Sequence, residues 1–137
     1  MAKAEGLSRK FLDISIIDPR ILETFDYELP KLIKGKAPKQ FVKYETKEFT
    51  AVCPFSGLPD IGTVIIEYIP QKKVLELKSL KYYFLSYRDV GIYQEHATQK
   101  IFNDLFDILK PQKLIITTIY NTRGGIDTTC RIDSSEL

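Results

Sequence analysis

The apolar residues of this chain change their spacing twice, and the order of those changes limits the folds open to it. Between Gly62 and Ile69 they alternate, with Val64, Ile66 and Tyr68 on one side and Ile65 and Ile69 on the other, which is the period of a strand. From Glu76 to Arg88 the spacing becomes three or four, and Leu77, Leu80, Phe84 and Tyr87 form a helical stripe with Lys78 and Lys81 off it. After a break at Asp89 and Gly91, a second helix is predicted from about Tyr93 to Leu109, with Ala97, Ile101, Leu105 and Ile108 inward and Pro111 just beyond its end. Alternation then returns. Lys113 to Tyr120 is a strand rich in β-branched residues, and past the tight Gly124-Gly125 connection Ile126, Thr128, Cys130 and Ile132 share one face. A short strand from Glu48 to Cys53 precedes all of this, set off by the loop that Pro54, Gly57 and Pro59 enforce. The order strand, strand, helix, helix, strand, strand predicts an α+β fold, a four-stranded antiparallel sheet with both helices on one face. Such a sheet has two unpaired edges, and joining the sheets of neighbouring subunits into a ring is one way to protect them.

A chain of 137 residues can bury about two thirds of its unfolded surface around one core, which leaves room for one catalytic domain. The expected organisation is an arm and lead-in over residues 1–45, followed by a single domain over 46–137. The arm carries Pro19, Pro30 and Pro38, and its lysines between Lys31 and Lys43 read as a solvated face. With 20 basic against 18 acidic residues, neither sign dominates, which argues against a nucleic-acid coat or an acidic tail. The opening MAKAEGLSRKFLD is too mixed for a signal peptide, and no window approaches the roughly 18 apolar residues of a membrane span. A cytosolic protein without membrane contact is expected.

Cys53 sits where a strand runs into a loop, and Asp60 follows seven residues later. A thiol at a strand end can face a cleft, and a carboxylate beside it can move the protons that thiolate chemistry requires; a buried cysteine and a turn-capping aspartate are the structural alternative. Cys130 reads as a packing residue. With His96 the only histidine and two cysteines in all, no metal site is expected. Glu95 opens the second helix and either offsets its positive end or accepts from the amine and ring N–H groups of a purine-like base; Gln94 and His96 flank it. Glu76, Lys78, Ser79 and Lys81 form a polar patch on the first helix. Arg123 before Gly124 offers a forked donor beside permissive backbone. Neither GxGxxG nor GxxxxGK[ST] occurs, so a nucleotide must bind in another way.

Taken together, CPFSGLPD over Cys53 to Asp60, ELKSLKYY over Glu76 to Tyr83, and the following LSYRD resemble the NADPH-dependent 7-cyano-7-deazaguanine reductases, the single-module nitrile reductases of queuosine biosynthesis. The resemblance spans roughly Phe49 to Ile126. It implies a tunnelling fold whose subunits form rings with active sites between them, commonly a decamer of two pentamers. It further implies that Cys53 attacks the nitrile carbon to form a thioimide, that Asp60 supplies and exchanges protons, and that hydrides from two NADPH molecules yield the 7-aminomethyl product. The resemblance assigns base recognition to Glu95 with Gln94, His96 and the stretch Leu75, Glu76 and Leu77. Lys78, Ser79 and Lys81, and more weakly Arg88, Arg123 and Gly124, are assigned to the cofactor.

One departure stands out: many members carry His-Glu where this chain has Gln94-Glu95, so the histidine's part passes to Gln94 or to His96. Three alternatives accompany the reductase reading. A superfamily amidinotransferase would act on the nitrile-bearing base within transfer RNA, and the ELKSLKYY stretch argues against it. A cyclohydrolase-like enzyme needs a zinc ligand set. A non-enzymatic deazapurine-binding module would merely pack Cys53.

Overall fold

The computed structural model describes residues 10–137; the start of the expected arm lies outside the described residues. Its centre is a four-stranded antiparallel sheet in the order β2-β3-β5-β6, formed by β2 (Val42–Val52), β3 (Pro59–Ile69), β5 (Lys113–Arg123) and β6 (Ile126–Asp133). A small second sheet pairs β1 (Thr24–Asp26) with β4 (Lys73–Leu75). Helices α1 (Leu77–Leu85) and α2 (Gln94–Leu109) cover one face of the large sheet.

The predicted α+β layering is present, and several element boundaries differ from expectation. The strand expected from Glu48 begins at Val42, because Val42 to Thr46 continue the register with β3 across an irregularity between Thr46 and Phe49. Pro59 and Asp60, expected to close a loop, already belong to β3. Proline is tolerated there because it is the strand's first residue. The expected arm is not featureless: two short 3₁₀ turns, Ile14–Ile16 and Pro19–Ile21, are capped by Asp13 and Asp18, and β1 adds to β4.

The core-facing stripes keep Leu80, Tyr87, Ala97, Ile101 and Leu105 as expected and differ at individual positions. On α1, Leu80 and Tyr83 are buried, and Tyr87 just beyond its end is fully so, whereas Leu77 is 55% exposed at the first turn. On α2 the inward residues are Ala97, Ile101, Leu105 and Leu109, and Ile108 is half-buried at the margin. An aromatic run lets this happen. Tyr83 can be buried because its hydroxyl donates to Asp104 Oδ2 at 2.7 Å and pairs with the Tyr87 hydroxyl at 2.8 Å. Lys100 in turn holds Asp104 from one helical turn away at 3.0 Å. This network ties α1 to α2 through the core, which period-counting on apolar residues alone misses.

Tyr83→Phe leaves the buried Asp104 carboxylate and the Tyr87 hydroxyl each short of one partner. It is expected to lower stability by about 1–3 kcal/mol, read as a lower urea midpoint at unchanged slope.

Candidate active site

Val52 ends β2 under double restraint: its N–H donates to Val90 at 2.9 Å and its carbonyl accepts from Ile92 at 3.0 Å. The chain then turns sharply. Cys53 N–H donates to the Leu58 carbonyl at 2.9 Å and Gly57 N–H donates back to the Cys53 carbonyl at 2.8 Å, with Gly57 at φ +72°. A side chain at position 57 would be strained in that conformation, so the glycine sets the loop. The turn delivers Cys53, 3% exposed, next to the start of β3, where Asp60 is 5% exposed.

Arg123 joins the two. It stands at the end of β5, just before Gly124 and Gly125, whose φ values of +59° and +76° build the tight turn into β6. Its Nη2 donates to Cys53 Sγ at 3.1 Å, and its Nη1 donates to Asp60 Oδ1. Burial pushes the Cys53 thiol up. That push is outweighed by the Ser56 hydroxyl and amide, the Arg123 guanidinium and the Phe55 amide, so the thiol ionises below its usual range. The same contacts, from Cys53 and then Asp60, hold the guanidinium more firmly protonated. Cys53 is thereby poised as a nucleophile with a carboxylate beside it.

Ser56, which hydrogen-bonds Cys53, and Tyr120, across from Gly62, are neighbours of this site that sequence reasoning passed over. The motif CPFSGLPD contains Ser56 in plain view; what hid its role is that the turn brings residue 56 back over residue 53. Tyr120 is the cross-strand partner of Gly62, two residues along β3 from Asp60, and lies on the same buried, helix-facing side.

The other expected site residues fall into two places. Glu95 is exposed in the first turn of α2, and its charge is felt at Tyr120, so it belongs to the Cys53 end. Gln94 is half-buried and gives its carbonyl to Thr98 at 2.9 Å; His96 is exposed and stands edge-on to Tyr93 with ring centres 6.1 Å apart. The first-helix patch lies elsewhere. Glu76 caps α1, its carboxylate accepting from the amides of Lys78 at 2.8 Å and Ser79 at 2.7 Å, contacts that lower its pKa. The Ser79 hydroxyl accepts from the Glu23 amide at 2.9 Å. Leu75 is fully buried, and its N–H donates to the Tyr68 hydroxyl at 3.1 Å.

Tyr68 lies at the opposite end of β3 from Asp60. At roughly 3.3 Å per residue, strand length alone separates the two residues by about 26 Å, far beyond the span of one bicyclic base. Two concavities open around α1. One of about 280 Å³ is lined by Glu76, Lys78, Ser79, Ile21, Glu23 and Tyr82. A larger groove of about 520 Å³ has Tyr44, Leu77, Leu80 and Phe84 among its walls, with Lys81 and Arg88 on its polar side. Exposed lysines beside apolar walls fit a phosphate-bearing ring cofactor in donor type and size.

Cys130 on β6 is half-buried opposite Thr118. Three strand spacings of roughly 4.8 Å put β6 about 14 Å from β2, out of disulfide reach of Cys53 within one chain. Among the described residues no group of three His, Cys, Asp and Glu side chains converges as a metal cage. Nor is any helix among them long and apolar enough to cross a membrane.

Against known proteins, a family model described as QueF-like protein matches residues 59–137. The chain is 53% identical over 137 residues to the NADPH-dependent 7-cyano-7-deazaguanine reductase of Thermotoga maritima, covering 99% of this chain and 94% of that one. It belongs to the QueF-like protein family. The protein of the same name from Thermoanaerobacter pseudethanolicus is 48% identical over 112 residues, 82% of this chain and 80% of the other. Among solved structures, the apo form of the archaeosine synthase QueF-Like superposes with a TM-score of 0.67 at 25% identity, covering 74% of this chain and 99% of that chain. The four-stranded antiparallel sheet with helices on one face is therefore the tunnelling fold of this family.

Removing the guanidinium with Arg123→Ala leaves Cys53 with its burial but one donor fewer. The pH midpoint of iodoacetamide alkylation is expected to rise, and the rate at neutral pH to fall; an unmoved midpoint would mean that Ser56 and the loop amides alone lower the thiol pKa.

Proposed function

We infer that this family member is an NADPH-dependent nitrile reductase, converting 7-cyano-7-deazaguanine to 7-aminomethyl-7-deazaguanine in queuosine biosynthesis. The observation that carries the reading is the Cys53 thiol, buried, lowered in pKa and held with Asp60 by one guanidinium. The near full-length identity to reductases supports it.

A nitrile carbon accepts hydride poorly until a soft nucleophile adds to it. Cys53 Sγ bonds to that carbon and one π bond opens toward nitrogen, which takes up the thiol's proton through the Asp60 carboxylate, giving a thioimide on Cys53. NADPH supplies the two hydrides, one per molecule, that the four-electron reduction needs. After the first hydride and a proton, the C–S bond breaks and the electrons return to sulfur as the Cys53 thiolate. The imine left behind takes the second hydride, with Asp60 again the nearest group to exchange a proton. Glu95, at the start of α2, accepts from the amine and ring N–H of the base, and Gln94 is the half-buried neighbour placed to add a contact. Lys78 and Lys81, with Ser79, Arg88, Arg123 and Gly124 as further candidates, hold the cofactor.

The division of these residues between the two ends of the sheet supports a composite site. Leu75, Glu76 and Leu77 can meet the base at Cys53 only if they come from a neighbouring subunit, which fits closed rings, commonly two stacked pentamers in this family. Edges β2 and β6 are the strands available for such closure. The domain over 46–137 carries the chemistry, β2 drawing its first residues from the lead-in, and the cytoplasm is the compartment we assign.

The structural likeness to an archaeosine synthase keeps the transfer-RNA amidinotransferase as the alternative. The two readings differ in the ELKSLKYY stretch and its exposed lysines, which a reaction without NADPH does not need.

With 7-cyano-7-deazaguanine, absorbance at 340 nm is expected to show two NADPH consumed per nitrile. Cys53→Ala should lose both turnover and the covalent adduct in intact mass, and Asp60→Asn should lower kcat by about 10²–10⁴-fold. Adduct formation without NADPH consumption, followed by amine incorporation into transfer RNA, would instead establish the alternative.

A further inference from the structure

Among the described residues, the Tyr120 hydroxyl is the buried side-chain polar atom without a hydrogen-bond partner. Tyr120 is 4% exposed, with its ring in the core cluster. Its ring is held firmly. Gly62 is its cross-strand partner, and a Cβ there would come within 2.6 Å of the Ile119 carbonyl and 3.2 Å of Tyr120 Cδ1. The missing side chain lets the ring lie over β3 beside Asp60, with Phe49 edge-on at 6.5 Å.

A phenylalanine would fill that space equally well without burying an unpaired hydroxyl, so folding does not account for the oxygen. Its surroundings point to the site. Burial first, and then the nearby Cys130, Asp60 and Glu95, hold the phenol neutral, as both donor and acceptor. Thr118 lies close enough to soften that effect, but its hydroxyl is shared with Thr98 at 2.7 Å and makes no hydrogen bond of ordinary geometry to Tyr120.

We propose that Tyr120 is a further substrate-binding residue, whose hydroxyl is idle in the free protein and hydrogen-bonds the 7-deazapurine when the base enters between Cys53 and Glu95. This rests on the nitrile-reductase reading for the identity of the base. In the free chain Arg123 covers the Cys53 and Asp60 side of that space, so the hydroxyl gains its partner as the guanidinium gives way.

The test is Tyr120→Phe, made in the wild-type chain and in Cys53→Ala. In the Cys53→Ala background, calorimetry with 7-cyano-7-deazaguanine measures binding without the covalent step. Loss of the hydroxyl is expected to weaken binding about tenfold and to raise KM by about the same factor. The kcat should change less than about twofold, and the free protein's melting temperature should stay level or rise, because an unpaired buried hydroxyl is removed. Unchanged affinity overturns the proposal. So does a lowered melting temperature with unchanged affinity, which would give the hydroxyl a structural partner. If Cys53→Ala binds the nitrile but the wild type consumes no NADPH, the reductase reading fails, while the Tyr120 comparison still decides on binding. Absence of binding by either chain overturns both.

Discussion

Strand β3 lies between β2 and β5, hydrogen-bonded on both sides along most of its length, and nearly every functional assignment is fixed by position along it. Asp60 occupies its first turn of pairing, opposite Ala51 and one step from the loop that carries Cys53. Gly62 follows and makes room for Tyr120. At the far end, Tyr68 reaches the Leu75 amide and so sets where α1 begins, with Glu76 as its cap and Ser79 locked to the Glu23 backbone. A central strand cannot slip register without turning its buried face outward, so the distance between these two ends is rigid. That rigidity leaves the reacting thiol and the α1 patch of one chain permanently apart. On the composite-site reading, assembly rather than flexing would bring such residues together.

The polar core serves the same end. Tyr83, Tyr87, Asp104 and Lys100 link α1 to α2, and the Thr98–Thr118 pair links α2 to β5 at 2.7 Å. The first turn of α2, carrying Gln94 and Glu95, is thereby fixed above the part of β5 that holds Tyr120. A helix resting on Leu, Ile and Ala contacts alone could slide by a fraction of a turn at little cost; paired buried hydroxyls and a carboxylate tolerate no such slide.

The fold's layering was legible because the apolar period switches cleanly from two to three or four and back, and each switch survives the choice of which residue lies innermost. The inner residues themselves were less legible. Tyr83 falls outside the apolar stripe of Leu77, Leu80, Phe84 and Tyr87 and is buried because Asp104 and Tyr87 satisfy its hydroxyl, whereas Leu77, in that stripe, falls on the first, exposed turn. The start of β2 was obscured by the irregularity between Thr46 and Phe49, which breaks the alternation that marks a strand. Cys53, Asp60 and Arg123 could each be picked out, and CPFSGLPD tied the first two together. Their meeting with Arg123 depends on β5 running past Tyr120 to the glycine turn, a tertiary fact with no local signal. Ser56 and Tyr120 depend on the same kind of information.

Arg123 presents the remaining physical problem of the site. A nitrile carbon bonded to Cys53 Sγ, with its nitrogen facing Asp60, needs the space that Nη1 and Nη2 now occupy. The guanidinium cannot itself provide the proton, since it does not titrate in proteins. On the nitrile-reductase reading it would have to leave one partner as substrate arrives; its side chain is 47% exposed, and it adjoins two glycines at positive φ. While it stays, it helps hold the thiol low in pKa and covers it, and on that reading the nitrile would reach the sulfur only once it moves. On the nitrile-reductase reading, the residue that helps lower the thiol pKa therefore also stands where the nitrile would have to enter.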